Sequence, residues 1–82
     1  MMMTGTVTVR LKSGVLDPEG KTIHRALMQM GFDGVSDVRT GRTFQIHLEA
    51  KDATEARQRL IAMSEKLLAN PVVESFDVDV PQ

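Results

Sequence analysis

Val35 to Glu49, reading V-S-D-V-R-T-G-R-T-F-Q-I-H-L-E, is the stretch that decides the fold. In its second half Phe44, Ile46 and Leu48 alternate with Gln45, His47 and Glu49, the period-two pattern of a strand with one buried and one wet face. Val35 to Thr40 is a second, shorter β-type run, and Gly41 between the two predicts a hairpin with a glycine-containing loop. Upstream, Val7, Val9 and Leu11 alternate with Thr6, Thr8 and Arg10, which predicts a strand over Thr4 to Leu11. Asp17 followed by Pro18 matches a helix N-cap with proline in the first helical position. Ile23, Leu27 and Met30, with Ala26 alongside, then recur at helical spacing, so a helix is expected from about Pro18 to Met30. Gly31 falls where a left-handed cap is needed, with Phe32 just beyond it.

Downstream of the hairpin, Asp52 and Glu55 have the spacing of a capping-box-like start. Ala56, Leu60, Met63 and Leu67 trace an apolar stripe behind them, and Glu55 with Arg59 adds an i,i+4 pair. Asn70 and Pro71 stop this second helix. Val72, Phe76, Val78 and Val80 alternate with Asp77 and Asp79 as a closing strand, and Glu74 on the apolar side moves its start to about Ser75. The order is β-α-β-β-α-β over a single domain, residues 1–82. This predicts an α+β two-layer sandwich of split βαβ or ferredoxin-like type, with two helices on one face of an antiparallel sheet. Strands one and three are expected in the centre, leaving Val35 to Thr40 and Ser75 to Val80 as edges open to another subunit.

A chain of 82 residues buries only roughly 60% of its unfolded surface, and small cores are usually supported by disulfides, metal or oligomerisation. With no cysteine, disulfides are excluded and a zinc site is disfavoured, which leaves oligomerisation as the expected support. Lys plus Arg number 10 against 11 for Asp plus Glu, so the net charge of -1 offers no field to attract phosphate backbones, and nucleic acid is not an expected partner. The apolar runs are far too short for a membrane span, and Met1 to Met3 lead into polar threonine rather than a signal-peptide core. A cytoplasmic protein is expected.

Catalytic chemistry finds little to stand on. A cysteine nucleophile is excluded, so the chain cannot itself be a cysteine-dependent glutaminase. Ser13, Ser36, Ser64 and Ser75 lie in no nucleophile-elbow sequence, and His24 and His47 read as ordinary surface histidines on a helix and a strand. Gly31 to Gly34 formally matches a G-x-x-G backbone clamp, but it follows a helix and carries Asp33, so a capping turn is the better reading. Phe32, Phe44 and Phe76 are assigned to the core rather than to a base-stacking platform. No phosphate loop or dinucleotide fingerprint occurs.

Two charged, loop-rich segments remain as partner-contact candidates. In Leu11 to Lys21, L-K-S-G-V-L-D-P-E-G-K, residues Lys12, Ser13, Asp17 and Lys21 surround a capped helix start whose free N–H groups can meet an anion or a partner's carboxylate. In Val38 to Phe44, V-R-T-G-R-T-F, Arg39 and Arg42 flank the expected hairpin turn and could dock an acidic surface. No catalytic, cofactor-binding or metal-ligating residue is assigned.

These segments, together with L-x-x-x-G-F at Leu27 to Phe32, V-x-D-V-R-T-G at Val35 to Gly41 and K-L-L-A-N-P-V-V-E at Lys66 to Glu74, resemble the PurS family over nearly the whole chain. Arg42 stands where lysine would be familiar. The resemblance implies a non-catalytic subunit of phosphoribosylformylglycinamidine (FGAM) synthase, which makes formylglycinamidine ribonucleotide in purine biosynthesis from formylglycinamide ribonucleotide, glutamine and ATP. It further implies a homodimer or tetramer that bridges a PurL-like synthetase and a PurQ-like glutaminase. The chain would bind no cofactor itself, ATP and magnesium being used by the assembled enzyme. An ACT-like module that binds a small molecule at a subunit interface shares the order of elements and is the alternative.

Overall fold

The computed structural model describes residues 1–81. Strand β1 (Met2–Leu11) leads to helix α1 (Pro18–Gln29), strand β2 (Gly41–Glu49), helix α2 (Ala53–Met63), a π-turn (Ser64–Leu68) and strand β3 (Glu74–Asp79). The sheet order is β2-β1-β3 and both pairings are antiparallel. The α+β class and the antiparallel sheet are as expected, with three strands in the order β-α-β-α-β.

The register puts Val7 opposite Phe44 on one side and Val78 on the other, and Val9 opposite Phe76. Side chains along a strand alternate between its two faces, so these residues share one face. Val7 and Val9 are buried there against Ala56 and Leu60 of α2. The Leu60 side chain occupies the space that a Cβ on Gly5 would need, which is why β1 carries a glycine at its crossing with α2. Asp52 caps α2 by accepting from Glu55 N–H at 2.8 Å, while Glu55 reaches back to Lys51 N–H and pairs with Arg59.

Three expectations fail, each for a physical reason. No hairpin forms around Gly41: residues 35–40 make no ladder, because their hydrogen-bonding groups are spent elsewhere. Val35 C=O accepts from His24 Nε2 at 2.7 Å, Val38 N–H is turned onto Asp37, and Thr40 N–H goes to Asp17. The segment instead runs back along α1, after the Gly31 cap in which Phe32 N–H bonds Leu27 C=O and Gly31 N–H bonds Met28 C=O. β2 is consequently an edge strand, leaving β1 alone in the centre.

Next, only α2 packs on the sheet, against β1 and β3; α1 does not lie over it. A twelve-residue helix is about 18 Å long and a ten-residue strand about 33 Å, so end to end they account for the 50 Å long axis of the molecule. Helix α1 and its return segment therefore form an arm that extends the β1–β2 pair. Its apolar residues stay open: Ile23 is 40% exposed and Met30 71%, while Phe32, expected in the core, is 54% exposed.

Finally, Leu67 is not on the buried stripe. Ala69 N–H bonds Ser64 C=O, an i to i−5 link that adds one residue to the turn and rotates the residues beyond Ser64 about the helix axis. Leu67 thereby swings out to 84% exposure and Leu68 takes its place against the core. Leu60→Ala is expected to cost about 2 to 5 kcal/mol, whereas Leu67→Ala should stay within about 0.5 kcal/mol. Urea unfolding of the two variants checks this, and equal losses would contradict the π-turn register.

Candidate functional site

At the base of the arm lies Asp17, only 2% exposed. Its carboxylate caps α1 by accepting from Gly20 N–H at 2.9 Å. It also accepts from Thr40 N–H at 2.7 Å and from the Thr40 hydroxyl at 3.0 and 3.1 Å. One buried carboxylate thus joins the start of the helix to the residue that enters β2. Gly20 lies against Val38 C=O so closely that a Cβ would collide with it, which brings helix and return segment into contact at the same level.

A second network begins one residue after β1. Lys12 N–H bonds Val73 C=O and Lys12 Nζ bonds Pro71 C=O, both at 2.8 Å, while Lys12 C=O accepts from Arg39 at 3.2 Å. The turn that Lys12 grips is closed on itself: Glu74 N–H bonds Asn70 C=O, the Glu74 carboxylate accepts from Asn70 N–H, and the Asn70 side chain accepts from Val72 N–H. Arg42 then donates to both Glu74 oxygens, at 3.2 and 2.9 Å, with its guanidinium 5.8 Å above the Phe44 ring. The two most distinctive stretches of sequence, Leu11 to Lys21 and Lys66 to Glu74, are therefore tied together through Lys12. Between them opens a cleft of about 330 Å³ lined by Lys12, Ser64, Ala69, Pro71, Phe76 and Glu74.

Hydrogen bonds to the charged form hold both carboxyls below their ordinary values. For Asp17 the largest cause is the Thr40 backbone N–H, followed by that of Gly20; for Glu74 it is the Asn70 backbone N–H.

Of the candidate residues from the sequence, Lys12, Ser13 and Arg39 lie together, with Ser13 and Arg39 lining one shallow pocket, while several of the others are tied up within the fold. Asp17 is buried and serves the fold, Arg42 is engaged by Glu74, and Arg39 and Lys12 tie the connector down. Arg42 does not flank a free hairpin tip, since Gly41 is already in β2. Ser13 and Lys21 remain exposed. Sequence reading missed Thr40, Gly20 and Asn70 as structural partners; only the Glu74 anomaly on the apolar side pointed toward this network. Ser64 is buried with its hydroxyl on Leu60 C=O, and His24 and His47 bond Val35 C=O and the Thr4 hydroxyl respectively, so among the described residues no serine is hydrogen-bonded to a histidine. Among the described residues no group of three or more His, Asp or Glu could hold a metal ion, and no helix is long and apolar enough to cross a membrane.

Because the folded carboxyl of Asp17 binds its proton more weakly than the unfolded one, protonation favours unfolding. Its contribution is full well above the ordinary value of 3.8 and is lost as pH falls below that value through the lower folded one. Thermal midpoints should fall in that acid window and be flat near neutrality, and Asp17→Asn should blunt the acid slope. An identical slope in the variant would remove Asp17 as its source.

Such a frame, with many polar side chains committed to holding connectors and the apolar residues of α1 left exposed, is that of an assembly module. The PurS family model, described as phosphoribosylformylglycinamidine (FGAM) synthase, matches residues 4–82. The PurS subunit of Methanocaldococcus jannaschii is 40% identical over 79 residues, 96% of this chain and 95% of that one. The Bacillus subtilis PurS subunit is 38% identical over 76 residues, 93% of this chain and 89% of that one. The crystal structure of the M. jannaschii protein superposes with a TM-score of 0.87 at 38% identity over 100% of this chain and 98% of that chain. A chain of the PurLQS structure from Thermotoga maritima superposes at 0.90 with 31% identity, covering 99% of each. The chain belongs to the PurS family of FGAM synthase subunits.

Proposed function

We propose that this chain is the non-catalytic assembly subunit of FGAM synthase in purine biosynthesis, bridging a PurL-like synthetase and a PurQ-like glutaminase. Its match to PurS over nearly its full length carries the reading, and the Thermotoga relative from the PurLQS structure supports the choice of partners. The chain contributes geometry. Ammonia released into water at neutral pH is diluted and mostly protonated, so holding its source beside its sink replaces diffusion with a high local concentration. ATP and magnesium act in the assembled enzyme, this chain holding no cofactor of its own, and the complex works in the cytoplasm.

The chain works as a homo-oligomer of at least two copies. Helix α1 has an apolar stripe without a cover, and on β2 Phe44 and Ile46 pack against the core on one side only and stay half-buried. In one chain these two surfaces do not meet. Two copies related by a twofold axis let each arm lie over the other's sheet, an isologous contact that satisfies both. Ser13 and Lys21, exposed beside the α1 start, and Arg39, half tied to the connector, are the side chains of the sequence candidates left for the larger partners.

Glutamine-dependent formation of formylglycinamidine ribonucleotide by the synthetase and glutaminase should rise strongly when this chain is added, while the ammonia-dependent rate stays unchanged. Equal rates with and without the chain would refute the bridging role. Leu27→Asp should separate the copies in sedimentation experiments and abolish the glutamine-dependent gain, since a charge cannot be buried on that stripe without a partner.

A further inference from the structure

We propose that the Asp17–Thr40 node is a latch that holds the α1 arm away from its own sheet and so selects the exchanged assembly over a closed, self-covered chain. This rests on the homo-oligomer reading above. The order of elements permits the closed form, in which α1 would fold back over β2 of the same chain as in an ordinary split βαβ unit. Two connectors would have to swing together for that, residues 12–17 before the helix and residues 30–40 after it.

Both connectors end on the same carboxylate. A helix N-cap requires only the bond to Gly20 N–H. The bonds from Thr40 N–H and the Thr40 hydroxyl add nothing to the helix itself; they fix its first turn to the residue entering β2. Arg39, the neighbour of Thr40, bonds Lys12 C=O, and Lys12 is in turn held to Pro71 and Val73 in the turn that leads into β3. A continuous series of bonds therefore runs from the arm into the body of the sheet. The contact of Gly20 with Val38 C=O completes the node by leaving no space in which helix and return segment could shear. Association requires the open arm, so any fraction of chains that closes lowers the apparent affinity by that fraction. Domain exchange is sensitive to its hinge for this reason.

The test uses the full chain, whose lack of cysteine allows clean labelling. Spin labels on cysteines replacing Gln29 in the arm and Gln45 on β2 report the arm-to-sheet distance by pulsed electron resonance, with excess unlabelled chain suppressing signals between copies. Asp17→Ser keeps a good cap but is too short to reach Thr40, Thr40→Val leaves the cap untouched and removes the hydroxyl bonds while keeping the one from the backbone N–H, and Gly20→Ala pushes helix and return segment apart. The parent should give one narrow distance. Each variant should add a shorter, closed population and raise the dissociation constant of the oligomer by about tenfold, the effect of losing a hydrogen bond to a charged group. Variants that remain folded with the parent's narrow distance and affinity would overturn the latch. A monomeric parent would refute the oligomer reading, and the distances alone would then decide the latch. If Asp17→Ser fails to fold, the distance and affinity of Thr40→Val decide between the two outcomes.

Discussion

One helix cannot cover three strands. An α-helix with its side chains is about 10 Å across and strands lie about 4.8 Å apart, so α2, packed on β1 and β3, leaves Phe44 and Ile46 of β2 half-buried although Leu48 joins the core. In the usual split βαβ arrangement the first helix would fill that place. Here α1 points out along the axis of the sheet, so its stripe stays largely exposed and Phe44 and Ile46 stay half-buried. The elongated shape and the exposure of Met28, Met30 and Phe32 all come from this placement of α1.

The polar groups explain how such a shape is kept. Buried carboxylates are tolerated only when their hydrogen bonds are filled, and Asp17 is filled by donors from two different elements. Glu74 is placed on the apolar side of β3 on the same terms, with Asn70 N–H and Arg42 as its donors. Among the described residues no buried side-chain polar atom lacks a partner. The charged residues that stand out in the sequence are chiefly the fasteners of connectors. This agrees with a subunit whose contribution to a reaction is the placement of other proteins.

Most elements were legible in the sequence because their signals are local. The alternation in β1 and in Phe44 to Leu48, the Asp17–Pro18 and Asp52 caps and the Gly31 stop all depend on a few adjacent residues, and all are present. The features that were not legible depend on choices between partners distant in sequence. Val35 to Thr40 has strand-like composition, yet Asp17 and His24 compete for its hydrogen-bonding groups. The periodicity of Leu60, Met63 and Leu67 assumes an unbroken 3.6-residue turn and cannot foresee the extra residue of the π-turn. The stripe on α1 was read correctly as apolar, but periodicity does not say whose sheet it covers. Of the site, the two distinctive motifs were found and their union through Lys12 was not, since backbone carbonyls leave no mark in a sequence.

Hydrogen exchange of the α1 amides across a dilution series shows whether a second copy covers this helix. With a second copy as its cover, α1 is protected when the chain is concentrated and loses protection on dilution, well before β1, which is paired on both sides within one copy. Protection of α1 that does not change with concentration would show that the helix finds its cover within its own chain, and would contradict the account.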